Sequence, residues 1–247
     1  MKAFRQEWEA LLSAFCFFTR LPLCPRIFRL ERGVLYLPLV GAFLGSLIFF
    51  FLHYLGQGLP PPLKAFGALL LVYFLADYFH FDGLLDTIDA WAASGTREQR
   101  LKILKSPEVG ALGVLWAFFF LLGEFLLAWE LLASGHERAL FLRPLCGREA
   151  LALMALLGKP AKEGGLGSLF LASSRKRLWL TQILWVVLFY YAPLPSLGVV
   201  ILVLGLRAKF HKDFGGLTGD LLGATLMLAQ WTFLALELLV GVRFSPW

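Results

Sequence analysis

Three aspartates, Asp82, Asp86 and Asp89, are spaced four and three residues apart in the stretch HFDGLLDTID at residues 80–89. On a helix that advances about 100° per residue, Asp86 and Asp89 lie about 40° and about 20° around the axis from Asp82. Three carboxylates on one narrow face repel one another, and a cation offsets that repulsion. Magnesium binds a few carboxylates together with phosphate oxygens, so the spacing predicts a magnesium site here. The alternative is a solvated helix end whose acids are merely exposed.

Neighbouring residues could serve this acidic face. Gly83 leaves room beside Asp82 for a bulky ligand or for close approach of another backbone. His80 lies on roughly the opposite side of the same helix, and we weigh a local structural role equally against substrate contact. Asp77 is about 140° away from Asp82, which makes it a candidate for a structural hydrogen-bonding group.

A second polar motif, GGLTGDLLGA, covers residues 215–224. Gly215, Gly216 and Gly219 predict a flexible turn, and Thr218 can cap the helix that follows. Backbone N–H groups at such a helix start can hold a phosphate. Asp220 falls in the first turn, where it could be a further metal ligand or a general base. Ordinary helix capping is the alternative interpretation.

Two other segments combine a lysine with glycines. LKSPEVGALG at 104–113 contains Lys105, and AKEGGLG at 161–167 contains Lys162, Gly165 and Gly167. Each is a weak signal alone. Together with the aspartates they describe one surface, with carboxylates for a metal and with cations and glycine-rich loops for phosphates.

The elements that must position these residues are membrane helices. The chain has 247 residues, of which 59% are hydrophobic and only 16% charged. The apolar residues form long runs, which is typical of a polytopic membrane protein and excludes an ordinary soluble domain. The three cysteines have no CxxC spacing, which argues against a zinc site or a disulfide framework. The runs cover roughly 34–54, 63–81, 110–132, 139–157, 178–192, 194–206 and 219–240.

We therefore predict an all-α transmembrane bundle of about seven spans, with a range of six to eight, forming one domain over residues 1–247. The segment MKAFRQEWEALLSAF predicts an amphipathic N-terminal helix lying at the membrane interface. Gly41 and Gly45 form a small-xxx-small pair that permits close helix packing.

Basic residues predict the orientation of the bundle. Segments 20–33, 80–109, 158–177 and 206–216 hold sixteen Lys and Arg residues, whereas the alternating connections and the C-terminal tail hold four. The positive-inside rule therefore places the four basic segments in the cytoplasm, together with both aspartate motifs. The net charge of +6 has this topological source. For most of these cations a topological or lipid-headgroup role stands beside any further role, and phosphate binding is the alternative for a minority.

Six motifs in order resemble those of the cobalamin synthase family, adenosylcobinamide-GDP ribazoletransferase. They are FTRLP (18–22), PLVGAFLG (38–45), HFDGLLDTIDA (80–90), VGALG (109–113), AKEGGLG (161–167) and GGLTGDLLGA (215–224). The sequence departs from the family pattern before VGALG, where Ser106, Pro107 and Glu108 replace an Asp-Ser-Arg run. Lys162 also stands where arginine is common in the family.

The resemblance implies a multi-pass enzyme of the cytoplasmic (inner) membrane with its active site facing the cytoplasm. It implies that α-ribazole or its 5′-phosphate is joined to adenosylcobinamide-GDP, with release of GMP and a need for magnesium. Asp220 and His80 would be catalytic residues, and Arg20, Lys105 and Lys162 would neutralise phosphates. Beyond the bilayer and the substrates, a homo-oligomer and contacts with other corrinoid-assembly enzymes stay open, and no nucleic-acid partner is expected.

Two other functions stay open at this stage. A CDP-alcohol phosphotransferase also places aspartates at the membrane face, but its Ala-Arg element is missing after Asp82-Gly83, where Leu84 and Leu85 follow. A cation-coupled transporter would more often place its acids in the middle of a span.

Overall fold

The structure, a computed structural model, describes residues 2–23, 25–106, 108–161, 166–171 and 175–244. Over these residues the chain is helical, with an isolated bridge between Pro160 and Leu217 as the one β-type pairing. The helices are α1 Lys2–Phe18, α2 Leu30–Gly33, α3 Leu37–Phe50, α4 Pro61–Val72, α5 Tyr78–Ala92, α6 Arg97–Ile103, α7 Ala111–Ala133, α8 Arg138–Leu157, α9 Leu166–Leu171, α10 Arg175–Thr181, α11 Trp185–Tyr191, α12 Pro193–Phe214 and α13 Gly219–Phe244.

Five segments of the described chain are long and apolar enough to cross a membrane: Leu30–Leu55, Pro61–Ala92, Ala111–Ala133, Pro193–Phe214 and Gly219–Gly241. Helix α8 has 20 residues, which corresponds to about 30 Å at 1.5 Å per residue. Helices α10 and α11 together cover residues 175–191, which is also enough for a short crossing. These two segments bring the number to seven and confirm the predicted all-α bundle.

The span that carries the acidic motif is longer than the sequence predicts. The apolar run was expected to cover 63–81, but α4 continues through a π-helical turn at Tyr73–Asp77 into α5, which ends at Ala92. Asp82, Asp86 and Asp89 therefore lie in the last turns of a helix, as their spacing predicts, and only the end of the apolar run was placed too early. The connection that follows is correspondingly shorter and covers residues 93–110.

Small residues permit a close contact between α3 and α8. A Cβ built on Gly41 would meet the Cα of Leu145 at 2.7 Å and the carbonyl oxygen of Pro144 at 2.9 Å. A Cβ on Gly45 would collide with the backbone of Phe141. The predicted small-xxx-small contact is thereby confirmed, and its partner is α8.

A buried ion-pair network joins the π-helical turn between α4 and α5 to α7 and α8. Asp77 lies 2.7 Å from Arg148 and 3.2 Å from Arg143, and Arg143 lies 2.6 Å from Glu124. The hydroxyl of Tyr73 donates to Glu124 at 2.7 Å. Asp77 is therefore the structural hydrogen-bonding group that the sequence analysis anticipates. Arg143, which was counted among the connections, is instead a buried residue of α8 and carries no topological signal.

Helix α1 is held against the bundle by two acidic residues. Glu9 lies 3.0 Å from Arg29, and Glu7 lies 2.6 Å from Arg177 in α10. Arg177 also donates from a second nitrogen to the other oxygen of Glu7 at 3.0 Å, so that pair is bidentate. These contacts attach the predicted amphipathic helix to the segment before α2 and to α10.

Candidate functional site

The centre of the candidate site is the contact between α5 and α13. A Cβ built on Gly83 would meet the Asp220 carbonyl oxygen at 2.8 Å and the Asp220 Cα at 2.9 Å. One turn away, Gly223 faces the backbone of His80, with a built Cβ 3.1 Å from the His80 carbonyl oxygen. Glycines on both helices thus let the two backbones touch, which brings the two aspartate motifs together.

The carboxylates of α5 differ in exposure. Asp82 is exposed, and Asp86 is half-buried. The charges of Asp82, Asp220 and Asp89 all act on Asp86, which makes it the electrostatic centre of the group. Within the described residues, neither Asp82 nor Asp86 has a hydrogen bond or an ion pair. Two carboxylates with free oxygens therefore share a face with Asp220 beside them.

Asp89 has a different environment on the same helix. Its Oδ2 accepts a hydrogen bond from the backbone N–H of Gly110 at 2.7 Å. Its Oδ1 accepts from the N–H of Gly113 at 2.8 Å. Both of its oxygens are therefore engaged with the first turn of α7.

The described residues contain no cluster of three or more His, Cys, Asp or Glu side chains that is compact enough to hold a metal ion alone. A magnesium ion at Asp82 and Asp86 would accordingly draw part of its coordination from other oxygens. This donor set still fits magnesium, which usually binds one or two carboxylates and completes its shell with water and substrate phosphates.

The glycine-rich turn before α13 is shaped by close approach. Gly215 has a φ of 72°, in the left-handed region that favours glycine. A Cβ on Gly216 would meet the Ala161 nitrogen at 2.6 Å and the Lys159 carbonyl oxygen at 2.7 Å. The turn is joined to 159–161 by Leu217, whose N–H donates to Lys159 at 2.7 Å and whose carbonyl accepts from Ala161 at 2.9 Å. The turn is thus braced rather than free.

Thr218 caps α13 as predicted, because its Oγ1 accepts from the N–H of Leu221 at 3.3 Å. The same hydroxyl lies 3.3 Å from Oδ2 of Asp220 and donates to it. Gly219 is exposed, and an added Cβ there would meet nothing within 4 Å. The start of α13 is therefore open beside a carboxylate that is already oriented.

Cations surround this end of the bundle. Lys105 is exposed, and its charge acts on the Asp220 carboxylate. Arg20 lies over the ring of Tyr78 at 4.0 Å, and Tyr78 is one helical turn before Asp82. Arg97 lies against Gly215 and donates to the Ala161 carbonyl at 3.1 Å. In the sequence, Arg97 is one of the basic residues of segment 80–109, and no local motif distinguishes it as a site residue.

His80 is buried, with 3% of its surface exposed, in an aromatic cluster. Its ring stacks on Phe18 at 5.8 Å and packs against Phe79 at 3.8 Å between centroids. Its Nε2 has no hydrogen-bond partner among the described residues. This position favours the local structural alternative over direct substrate contact.

Two predicted phosphate-binding residues, Lys162 and Gly165, lie outside the described residues. Gly167 lies in α9, and α9 packs against α13, the helix that carries Asp220. The other predicted residues lie at or near the α5–α13 contact. His80 contributes its backbone to that contact while its ring is buried in the aromatic cluster, and Arg20 lies next to α5 over the ring of Tyr78.

Comparison with known proteins identifies relatives that match most of the chain. A chain from Thermosipho africanus named adenosylcobinamide-GDP ribazoletransferase is 33% identical over 226 residues, which cover 89% of this chain and 94% of the relative. A chain of the same name from Pseudomonas entomophila is 36% identical over 245 residues, covering 95% and 97%. No solved structure matches the chain. Because the family model described as cobalamin-5-phosphate synthase matches residues 10–238, the chain belongs to the cobalamin-5-phosphate synthase family.

Proposed function

We propose that this protein joins α-ribazole or α-ribazole 5′-phosphate to adenosylcobinamide-GDP and releases GMP, forming adenosylcobalamin or its 5′-phosphate. The relatives that match about nine-tenths of the chain are named for this transfer. The observation that carries the proposal is the contact of Gly83 with the Asp220 backbone, which unites the two aspartate motifs. An acidic face flanked by cations is the arrangement that a pyrophosphate substrate with its metal requires.

We infer that magnesium is held by Asp82 and Asp86, with Asp220 as a further candidate ligand. Asp82 and Asp86 have oxygens without partners among the described residues, and they share a helix face beside Asp220. A bound magnesium ion would neutralise pyrophosphate charge and so favour departure of GMP. Substrate oxygens would complete its coordination shell.

The proposed reaction is a displacement at phosphorus. A ribose hydroxyl of ribazole attacks the phosphate attached to cobinamide, a new P–O bond forms, and the bond from that phosphorus to the oxygen of GMP breaks. The hydroxyl proton passes to Asp220, whose carboxylate is oriented by Thr218. GMP leaves with the electron pair of the broken bond.

Chain residues supply the remaining electrostatic support. Lys105, whose charge already acts on Asp220, would neutralise a phosphate of the substrate. The open start of α13 at Gly219 offers backbone N–H groups to another phosphate. Arg20 lies over the ring of Tyr78, which is one helical turn before Asp82, and would reach the edge of the bound substrate. Lys162 and Gly165 are proposed for the same role on the family motif alone.

We infer from the distribution of charge that this site faces the cytoplasm in the inner membrane. The sixteen basic residues of the four segments lie on the same side as both aspartate motifs in the predicted topology. Soluble nucleotide substrates would be supplied on that side. A labelling experiment tests this orientation. Single cysteines would be placed in the 93–110 connection and labelled chemically, once in spheroplasts and once in inverted vesicles.

Purified protein in detergent tests the reaction itself. With adenosylcobinamide-GDP, α-ribazole 5′-phosphate and magnesium, GMP and the corrinoid product should form in equal amounts, and a chelator should stop both. GMP release without a joined corrinoid would contradict the transfer. Uptake of a substrate into sealed vesicles without GMP release would instead identify a transporter.

A further inference from the structure

Asp89 connects the acidic helix to the start of α7. Gly110 is the N-cap residue of α7 and supplies no side chain to satisfy the free N–H groups of the first turn. Asp89 satisfies two of them, at 2.7 Å and 2.8 Å, from a different helix. Its carboxylate also faces the positive end of the α7 dipole, which stabilises a negative charge there.

The glycines of the GALG motif make room for this contact. A Cβ built on Gly110 would meet Oδ1 of Asp89 at 2.5 Å, and one built on Gly113 would collide with Oδ2. A side chain at either position would push the carboxylate away from the N–H groups that it binds. The contact with the Asp89 carboxylate therefore explains why both positions are glycine.

The contact closes both ends of the 93–110 connection at one residue. At its start, the Ala93 N–H donates to the Asp89 carbonyl at 3.1 Å, and at its end the Gly110 N–H donates to the Asp89 side chain. Between them the connection carries Lys105, the cation whose charge acts on Asp220. Asp89 therefore contacts both ends of the connection that carries Lys105, and we call its two side-chain hydrogen bonds to Gly110 and Gly113 the Asp89 clamp.

We propose that Asp89 is a positioning residue for the transfer and not a magnesium ligand. It docks α7 on α5 and thereby keeps Lys105 beside Asp220, whereas Asp82 and Asp86 keep their oxygens for the metal. The proposal rests on the proposed function for its kinetic consequence, but the clamp itself is testable without activity. The spacing alone predicts three carboxylate ligands, whereas this proposal assigns Asp82 and Asp86 to the metal and Asp89 to the clamp.

The experiment compares Asp89→Asn, Asp89→Ala, Gly113→Ala and the double variant Asp89→Ala with Gly113→Ala. Gly205→Ala in α12 is the matched control, because a Cβ there would meet nothing within 4 Å. The first readout is the rate of trypsin cleavage after Lys105, measured without magnesium and identified by mass spectrometry. The second is a steady-state assay that separates kcat, the KM for adenosylcobinamide-GDP and the magnesium concentration at half-maximal rate.

We expect Asp89→Ala and Gly113→Ala each to speed cleavage after Lys105 and to raise the KM by about tenfold, with the magnesium requirement unchanged. The double variant should be no worse than either single variant, because both break one contact. Asp89→Asn should fall between the wild type and Asp89→Ala in cleavage rate and KM, with the magnesium requirement unchanged. The amide oxygen of asparagine can still accept one of the two N–H groups, but its NH2 group cannot accept the other.

One result would overturn the proposal: the Asp89→Asn variant needs far more magnesium than the wild type, while trypsin cleaves it after Lys105 as slowly as it cleaves the wild type. If the wild type releases no GMP at all, the proposed function fails, and the cleavage rates still decide whether Asp89 clamps α7.

Discussion

Gly83 of α5 lies directly against the backbone of Asp220 in α13, with its built Cβ only 2.8 Å from the Asp220 carbonyl oxygen. The two residues are far apart in sequence, yet this contact fixes the separation of the two aspartate motifs. Since phosphoryl transfer depends on positioning, the spacing of these helices is a functional quantity.

Substituting Gly83 by alanine should therefore separate the helices and lower the rate of GMP release by about 10- to 100-fold. The added methyl has no free space, because its nearest neighbours are backbone atoms that cannot rotate away. Gly205→Ala, which adds the same methyl at an open position, should keep the wild-type rate. Equal activity of the two variants would show that the α5–α13 contact does not set the geometry of the site.

The buried network around Asp77 gives a prediction on stability. Asp77→Ala would leave the guanidinium groups of Arg148 and Arg143 without their shared partner inside the bundle. The expected loss is about 3–5 kcal/mol of unfolding free energy, measured by denaturation in detergent. Glu130→Ala, at an exposed position of α7, serves as the control and should change little. An Asp77→Ala protein as stable as the control would contradict this account of the network.

The role of His80, packing or catalysis, can be assigned by a substitution that keeps the shape of its ring. His80→Phe preserves an aromatic ring between Phe18 and Phe79 and removes the ring nitrogens. If His80 acts through packing, kcat should stay within about threefold of the wild type. A fall of two or more orders of magnitude in kcat, with an unchanged unfolding midpoint, would instead restore His80 to the catalytic role implied by the family resemblance.

The attachment of α1 should depend on pH. The hydrogen bonds from Arg177 are the main cause that lowers the pKa of Glu7 from 4.5 to about 2, and Tyr36, Arg177 and Arg32 add to this effect against desolvation. Because the folded pKa is depressed, the stabilisation is complete above pH 4.5 and is lost as the pH falls toward 2. Thermal unfolding of wild type and Glu7→Gln should therefore differ near neutral pH and converge in acid. If the unfolding temperatures of the two proteins differ by the same amount at every pH, Glu7 is not the titrating group.

The sequence predicts the helical bundle and the approximate spans because runs of apolar residues are a local signal. It also predicts the Thr218 cap and the small-residue packing of Gly41 and Gly45, which depend on short spacings. The apolar run was predicted to end at residue 81, because the polar residues 82–89 interrupt the hydrophobic pattern, whereas the helix itself continues to Ala92. Helix α13 covers their backbone, and that contact is not visible in a local pattern.

The distinct task of Asp89 could not be read from its spacing either. Helical periodicity puts Asp82, Asp86 and Asp89 on one face and treats them as equivalent. Only the tertiary structure brings Gly110 and Gly113 to Asp89 and leaves the other two carboxylates without partners among the described residues. The glycines of VGALG are predicted from the sequence to belong to a phosphate-binding loop, because a local pattern does not show that they make room for Asp89.

The central claim, that the acidic face of α5 binds the metal of a pyrophosphate substrate, is tested most directly by a magnesium titration. GMP release from adenosylcobinamide-GDP with α-ribazole 5′-phosphate would be measured for the wild type, Asp82→Asn and Asp86→Asn in membranes. We predict that both variants lose at least about 100-fold in rate and require more magnesium than the wild type. Near-normal turnover with an unchanged magnesium dependence in either variant would contradict the account.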